Sequence, residues 1–371
     1  MQAIKEFINH TANPQVLFPV LVIVYAFVFP FNDFLLKINK KLRINKLWTK
    51  AGGIALMSTL VAFFAFGLTD ENFRKIVTKP DNVPIVGLLF LVTFFLWLAM
   101  TQASDNDRRL ANNQPPLEAE DAKEKVLVWP DLVYIEFICL ILCTVLLVVW
   151  SVGLKAPIEE PANPSVSPNP SKAPWYFLGL QEMLVYFDPW LAGVVFPTVI
   201  IIGMMSIPFI DNNPKGTGYY SFEGRKMAVS IFMFFWLILW VFLITVGTFL
   251  RGPNWNFFGP FEAWDIYKLE ALTNINLSEY IYMIWLKRSL PDNILLRELW
   301  GFLAVAVYFG LMPLALAKTF FKNLFKNLGP LRYSVFTIML LLAVSLPLKM
   351  FLRWMFNLKY IIAIPEFFFN I

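Results

Sequence analysis

The sequence predicts an all-α, polytopic membrane protein with about eight transmembrane helices, a proline-rich outer loop and interfacial helices. Of its 371 residues, 58% are hydrophobic and 17% are aromatic, whereas only 15% are charged. Soluble domains average about 25% charged residues, so this chain lies far outside that class. The apolar residues also occur in runs that approach or exceed the roughly 20 residues needed to cross a bilayer.

Eight apolar stretches qualify as candidate spans by length and composition. They cover residues 16–36, 52–69, 84–101, 132–153, 190–210, 227–250, 298–318 and 332–352. Several of them end at a proline or at a cluster of charged residues, as membrane spans often do. The pattern therefore predicts seven loops that alternate between the two sides of a membrane.

The basic residues predict the orientation of these loops. In the first and seventh loops they occur without acidic neighbours: Lys37, Lys40, Lys41, Arg43, Lys46 and Lys50, then Lys318, Lys322, Lys326 and Arg332. The fifth loop holds Lys215, Arg225 and Lys226, and the third mixes Arg108, Arg109, Lys123 and Lys125 with carboxylates. The positive-inside rule then places these loops in the cytoplasm and both termini outside. Three later basic residues run against the rule: Lys349, Arg353 and Lys359.

The predicted organisation has five parts. A three-span extension (1–104) and a polar cytoplasmic linker (105–131) precede a central domain (132–251). An outer surface segment (252–297) and a part with two spans and a tail (298–371) follow. In the outer segment, residues 277–290 combine aromatic side chains with Lys287 and Arg288, which is typical of a helix on a membrane surface.

The outer loop over residues 154–174 is rich in proline. Its prolines are Pro157, Pro161, Pro164, Pro168, Pro170 and Pro174. Proline excludes regular helix and favours an extended path, so we expect a stiff segment along the membrane surface. Such a segment is suited to holding the residues that follow it in place.

An aromatic cluster with a carboxylate follows this loop at the outer membrane edge. The sequence over 173–184 is Ala-Pro-Trp-Tyr-Phe-Leu-Gly-Leu-Gln-Glu-Met-Leu. An interfacial aromatic belt accounts for Trp175 and Tyr176, because Trp and Tyr are enriched at membrane interfaces. Tyr186, Phe187 and Trp190 fit that interpretation as well. Composition alone therefore leaves a structural and a functional interpretation open.

The stretch from Trp129-Pro130-Asp131 to about Arg251 resembles the C-terminal half of cytochrome b, which is the separate subunit IV of the cytochrome b/f complex. A Pro-Asp precedes a span, a loop with Pro161, Ala162 and Pro164 follows, and a later span ends in Pro-Phe-Ile-Asp at 208–211. The family has Pro-Glu-Trp-Tyr in its outer quinol-oxidation pocket. Trp175 and Tyr176 match, while Ala173 and Pro174 replace the Pro-Glu, as in bacterial relatives for which the resemblance implies menaquinol.

The resemblance implies a quinol-binding set and a proton acceptor. The quinol-binding residues would be Pro174, Trp175, Tyr176, Phe177 and Glu182. Quinol oxidation releases protons, so a base is needed within hydrogen-bond reach or one water away. Since Pro174 replaces the family glutamate, Glu182 is the first candidate and Asp188 the second. A carboxylate that reaches the interface or pairs with another subunit is the alternative for Glu182.

The resemblance also implies cofactors and partners. Cytochrome b holds its haems through histidines on its N-terminal helices, whereas this chain has one histidine, His10. We therefore expect no haem axial ligand, no metal site and no covalently bound cofactor here, with the b haems in a partner subunit. The expected partners are a haem-bearing cytochrome b N-terminal-half subunit, a Rieske iron-sulfur protein, a c-type cytochrome and membrane lipid. Nucleic acid is excluded, because the basic residues do not interleave with aromatic ones on a polar face.

The predicted function is that of a subunit of a quinol:cytochrome c oxidoreductase in the bacterial cytoplasmic membrane, inactive alone. A transporter is one alternative, although transporters usually carry mid-membrane charges or paired repeats, which this sequence lacks. A structural anchor subunit of another respiratory complex is the other alternative. It shares the predicted fold, but it predicts that substitutions in 173–190 leave quinol turnover unchanged.

Overall fold

The computed structural model describes residues 2–154, 161, 163–165, 167–211, 221–270 and 272–371. Helices dominate these residues, and the only sheet among them is a two-stranded hairpin. The predicted all-α membrane fold is thus confirmed. Pro157, Ala162 and Lys215, named above in the outer and fifth loops, lie outside the described residues.

The helices are described here in chain order. They are α1 (Gln2–Thr11), α2 (Pro14–Val28), α3 (Asp33–Lys41), α4 (Lys50–Gly67), α5 (Glu71–Val77), α6 (Val83–Ala111), α7 (Leu117–Asp121), α8 (Val128–Gly153), α9 (Leu178–Met183), α10 (Leu191–Ile210), α11 (Lys226–Leu250), α12 (Leu277–Glu279, continued by a wider helical turn over Tyr280–Trp285), α13 (Ile294–Arg297), α14 (Leu299–Lys318) and α15 (Lys322–Phe356). The hairpin strands are β1 (Ala363–Ile364) and β2 (Phe369–Asn370), which pair antiparallel.

Seven helices of the described residues are long and apolar enough to span a membrane: α4, α6, α8, α10, α11, α14 and α15. The pair α1 and α2, bent by 76°, brings the number to eight if it counts as one span. The predicted number of about eight spans agrees with this result.

The first span differs from its predicted boundaries of 16–36. Helix α2 ends at Val28, and a new helix, α3, begins at Asp33. Pro30 lies in the break and has no N–H to continue a helix. The Asn32 side chain then accepts a 2.9 Å hydrogen bond from the backbone N–H of Leu35 and caps α3. The apolar run therefore contains a helix end that its hydropathy conceals.

Two other helices extend beyond the predicted spans. Helix α6 continues to Ala111, so the polar residues 102–111 are helical. Helix α15 includes the predicted span 332–352, but Gly329 interrupts its regular geometry with φ +74° and ψ 173°. Positive φ is accessible to glycine without steric cost, and Pro330 follows directly. The chain therefore changes direction at Gly329 before the last apolar stretch.

The chain divides into two compact units. The first comprises Met1–Ser171, Thr217–Phe234 and Thr248–Ile266. The N-terminal helices therefore belong to the same unit as parts of the central domain predicted over residues 132–251. Near one end, Lys5 pairs with Asp70 at 2.5 Å and the backbone N–H of Phe261 donates to Asn9 at 2.8 Å. The Phe73 and Phe261 rings stack there, with centroids 5.5 Å apart.

The other end of the first unit is held by polar contacts at helix termini. The Ser230 hydroxyl donates to the Phe29 carbonyl at 3.0 Å, and the Tyr25 hydroxyl donates to the Ser230 carbonyl. Asp107 of α6 accepts from the Ser221 hydroxyl and from the backbone N–H groups of residues 222 and 223. The N-terminal helices therefore contact residues on both sides of the span α11.

The second unit comprises Lys172–Gly216, Phe235–Gly247 and Tyr267–Ile371. Helix α14 meets the C-terminal segment closely at Gly301, where an added Cβ would lie 2.3 Å from the Ile361 carbonyl oxygen. The neighbouring Glu298 is buried, and its carboxylate accepts a 3.0 Å hydrogen bond from the Ala363 N–H. The hairpin β1–β2 is thereby fixed to the start of α14.

Candidate functional site

The segment from Ala173 to Met183 begins as a tight turn and becomes helix α9. Residues Trp175–Phe177 form one 3₁₀ turn, in which the Phe177 N–H donates to the Pro174 carbonyl at 2.8 Å. The Ala173 N–H donates to the Gln181 side chain at 2.9 Å, so α9 itself holds the residues that lead into the turn. Regular α-helix covers only Leu178–Met183.

The turn presents three consecutive aromatic rings on the surface of the second unit. Trp175, Tyr176 and Phe177 are 38%, 48% and 49% exposed, respectively. The Trp175 and Tyr176 rings meet edge to face with centroids 5.7 Å apart, and those of Tyr176 and Phe177 lie 4.7 Å apart. Such a surface offers both ring faces and edges to a flat aromatic ligand.

The opposite side of α9 packs closely onto α11. Leu178, Gly179, Glu182 and Met183 are buried. An added Cβ at Gly247 of α11 would lie 3.2 Å from the Leu178 carbonyl oxygen. Glycine at position 247 therefore permits α9 to approach the span, which fixes the position of the exposed aromatic turn.

Glu182 lies on this buried side and has no exposed surface. The resemblance to cytochrome b implies a single binding set that contains Glu182 together with Trp175, Tyr176 and Phe177. The structure places the three rings and Pro174 at the surface and the carboxylate in the interior. Burial of a carboxylate carries a large desolvation cost, which hydrogen bonding or protonation offsets.

Asp188 lies in the turn between α9 and α10 and is half-buried. Its carboxylate accepts a 3.0 Å hydrogen bond from the Asn370 side-chain amide and lies 3.5 Å from the Tyr360 hydroxyl. Trp190 contacts the same residue of β2, because its indole N–H donates to the Asn370 carbonyl at 3.1 Å. The Trp190 and Phe369 rings stack at 5.3 Å. The C-terminal hairpin thus holds the turn that carries the second candidate acceptor.

The basic residues that run against the positive-inside rule surround this turn. Lys349 is 2% exposed, and its ammonium donates to the Ile371 carbonyl at 3.3 Å and faces the Phe187 ring at 5.8 Å. Arg353 donates to the Thr273 carbonyl at 3.0 Å and to the Asn274 side chain at 2.6 Å. Lys349 and Arg353 therefore both have hydrogen-bond acceptors within the second unit.

The charges around this turn also shift the pKa values of two residues in the segment after α15, Lys359 and Tyr360. Burial and the nearby charge of Arg353 lower the pKa of Lys359. Burial and the Asp188 carboxylate raise the pKa of Tyr360, so its phenol stays protonated and can donate a hydrogen bond. In the sequence, Lys349, Arg353 and Lys359 stand out only as exceptions to the positive-inside rule, and no pattern indicates Tyr360 or Asn370. The basic residues in an otherwise apolar stretch were the one sequence signal of this polar cluster.

The described residues contain no group of three or more His, Cys, Asp or Glu side chains that could hold a metal ion. Cys139 and Cys143 are free and exposed on α8. No residue of α8 is buried within this chain, although the helix is among the most apolar spans. Its surface is therefore available to lipid or to another subunit.

Residues 161–261 match the family model described as cytochrome b(C-terminal)/b6/petD. The match includes the aromatic turn, α9, α10 and α11, and it confirms the resemblance to the C-terminal half of cytochrome b, subunit IV-like. It begins after Trp129-Pro130-Asp131 and α8, and it extends through the outer residues up to Phe261. No solved structure matches the chain. The match indicates a component of a membrane-integral, cytochrome b-type redox complex.

Proposed function

We propose that this chain forms one wall of the outer quinol-oxidation site of a cytochrome b-type complex, and that the quinol ring lies against Trp175, Tyr176 and Phe177. The observation that carries the proposal is the exposed aromatic turn within the matched segment. Its three rings are held at the surface by the Ala173–Gln181 hydrogen bond and by the packing of α9 on α11. A preorganised surface loses little conformational entropy when a ligand binds.

The proposed chemistry is the two-electron oxidation of a quinol, menaquinol in this proposal, to the quinone with release of two protons. The residues of this chain bind and orient the ring and accept a proton. The b haems and an iron-sulfur centre in partner subunits would supply the electron acceptors. The single histidine of this chain lies in the N-terminal helix α1, which is consistent with haem held elsewhere.

Two carboxylates remain candidates for proton acceptance. Glu182 is buried on the side of α9 that packs onto α11, whereas Asp188 is partly accessible and already accepts a hydrogen bond from Asn370. A base must come within hydrogen-bond reach of the quinol hydroxyl, directly or through one water. We assign the acceptor role to Glu182 first, because a carboxylate at membrane depth is costly and is commonly functional.

The partners follow from the same proposal. A haem-bearing cytochrome b N-terminal-half subunit would cover the apolar surface of α8. A Rieske protein and a c-type cytochrome would dock on the outer side, where α12 leaves Met283 and Trp285 exposed. The complex would lie in a bacterial cytoplasmic membrane with both termini of this chain on the outer side, as the basic loops predict.

The test starts from the intact complex, purified in mild detergent from its native membrane. Subunit identification and redox difference spectra should reveal a co-purifying b-haem protein with a Rieske or c-type subunit, together with quinol-dependent reduction of the acceptor. An intact preparation that contains neither haem nor redox partners would instead favour a transporter or an anchor subunit.

A further inference from the structure

A second candidate binding site lies in the first unit, far in sequence from the aromatic turn. An open cavity of about 680 Å³ lies between the ends of α2, α4 and α6 and helix α3. This volume falls within the roughly 300–1,000 Å³ that is typical of small-ligand sites. Buried Trp48 and Met100 contribute apolar surface, whereas the remaining lining is largely polar.

The cavity lining carries both signs of charge in equal number. The cations are Lys40, Lys50 and Arg108, and the carboxylates are Asp105, Asp107 and Glu223. Asp107 is used internally, since it accepts hydrogen bonds from the Ser221 hydroxyl and from two backbone N–H groups. Lys50 has no ion-pair partner among the described residues. The lining is therefore neutral overall, with one uncommitted ammonium group.

The two ion pairs at the cavity are weak ones. Lys40 pairs with Glu223 at 2.5 Å, and Arg108 pairs with Asp105 at 2.9 Å. All four side chains are substantially exposed, and exposed pairs contribute little stability because water competes for each charge. A ligand that carries its own cation and anion can therefore replace these pairs at small cost.

The cavity also lies at the ends of two candidate spans, α4 and α6, where a membrane surface is expected. Lys50 is the first residue of the span α4, and Arg108 is in the last turn of the span α6. The basic loops predict that this end faces the cytoplasm. Exposed apolar residues continue along both spans from this level, such as Ile54 on α4 and Phe95 on α6. A ligand with a polar head and apolar chains could therefore place its head in the cavity and its chains along the apolar residues of α4 and α6.

We propose that the cavity binds the headgroup of a phospholipid with a primary ammonium, that is, phosphatidylethanolamine. Its phosphate is bound by Lys50 with Lys40 or Arg108, and its ammonium donates hydrogen bonds to Glu223 and Asp105. The neutral lining matches a zwitterion better than an anionic headgroup. A trimethylated headgroup has no N–H to donate, so the carboxylates distinguish the ethanolamine from the choline lipid.

The experiment measures lipid binding to the purified full-length protein by native mass spectrometry, with phosphatidylethanolamine, phosphatidylcholine and phosphatidylglycerol added in turn. Lys50→Gln and Glu223→Gln should each weaken phosphatidylethanolamine binding by about tenfold or more, because each removes a charged hydrogen-bond partner. Lys79→Gln is the control, since Lys79 pairs with Asp81 in an exposed position before α6. It should leave binding unchanged.

The wild-type protein provides a second measurement that does not depend on variants. It should bind phosphatidylethanolamine in preference to the other two lipids and should bind glycerophosphoethanolamine, the same headgroup without acyl chains, only weakly. Equal binding of phosphatidylcholine, preference for phosphatidylglycerol, or equally tight binding of the soluble headgroup would each overturn the assignment. So would unchanged lipid binding in both variants.

Discussion

The Asn370 side-chain amide donates a 3.0 Å hydrogen bond to the Asp188 carboxylate, which joins two residues 182 positions apart in the chain. The backbone carbonyl of the same asparagine accepts from the Trp190 indole. One residue of β2 therefore contacts two residues of the turn that follows α9. We infer that the C-terminal hairpin stabilises the turn over residues 187–190, which carries the second candidate proton acceptor of the proposed quinol site.

Substitution of Asn370 should loosen this turn. Asn370→Leu removes the donor to Asp188, and a hydrogen bond to a charged group contributes about 1.5–3 kcal/mol. Asn370→Asp should be more harmful, because it places a second carboxylate against Asp188 at neutral pH. Hydrogen exchange should become faster at residues 186–191 in both variants, with the larger effect in Asn370→Asp. Equal protection in all three proteins would contradict the role of the hairpin.

The ring of Tyr176 should matter more than its hydroxyl for quinol binding. Tyr176→Ala should raise KM for quinol by about two- to thirteenfold, which corresponds to the roughly 0.5–1.5 kcal/mol of a typical aromatic contact. Tyr176→Phe keeps the ring and should therefore stay close to wild type. Tyr267→Ala removes another exposed outer tyrosine, 84% exposed, and serves as the control. A similar loss in the control would indicate a general effect on the complex.

The two candidate acceptors can be separated by isosteric amides. If Glu182 accepts the proton, Glu182→Gln should lower kcat by about 10²–10⁴, the usual contribution of a general base. Asp188→Asn should then have a much smaller effect. The reverse order would transfer the role to Asp188, and wild-type turnover in Glu182→Gln would remove Glu182 from the mechanism. Assembly of each variant is checked by the b-haem content of the purified complex.

The Lys5–Asp70 pair should make the first unit sensitive to acid. Partial burial alone would raise the pKa of Asp70, but hydrogen bonds from Lys5 and from the N–H groups of Phe73 and Asn72 hold it below its usual value. A depressed pKa means that this stabilisation is present above about pH 4 and is lost as pH falls through the folded-state value.

Asp70→Asn tests this pH dependence, because asparagine caps the α5 helix as well as aspartate does. The variant should lower Tm at neutral pH by an amount that corresponds to about 1 kcal/mol or less. The difference from wild type should shrink as pH falls below about 4. A difference that is constant with pH would mean that charge at Asp70 contributes nothing.

A pair of glycines on α14 provides a packing test. Gly301→Ala would place a methyl group 2.3 Å from the Ile361 carbonyl oxygen, so the C-terminal segment must shift. We expect a loss of about 1–3 kcal/mol, as is usual for overpacking. Gly310→Ala is the matched control, because its Cβ meets nothing within 4 Å. It should be neutral or stabilising by up to about 1 kcal/mol in thermal unfolding.

Much of the fold was predictable because bilayer spans are long apolar runs with charged ends. The number of spans and the presence of an aromatic cluster at Trp175–Phe177 follow from such local patterns. The break in the first span was missed, although Pro30 followed by Asn32 is a local helix-end signal. It was overridden by the hydropathy of the surrounding residues.

Other parts of the site were not predictable from local patterns. The contacts of Asn370 and Lys349 with the 187–190 turn depend on how distant segments pack, which no periodicity encodes. The burial of Glu182 depends on the face that α9 turns toward α11. A helix of six residues has too few positions for its buried face to be inferred from sequence.

The most direct test of the central proposal is photolabelling of the intact complex with an azido-quinone, followed by identification of the labelled peptides. The proposal predicts labelling within residues 173–190 of this chain, competed by excess quinol and reduced in Tyr176→Ala but not in Tyr267→Ala. Competed labelling confined to other parts of the chain or to partner subunits would contradict it.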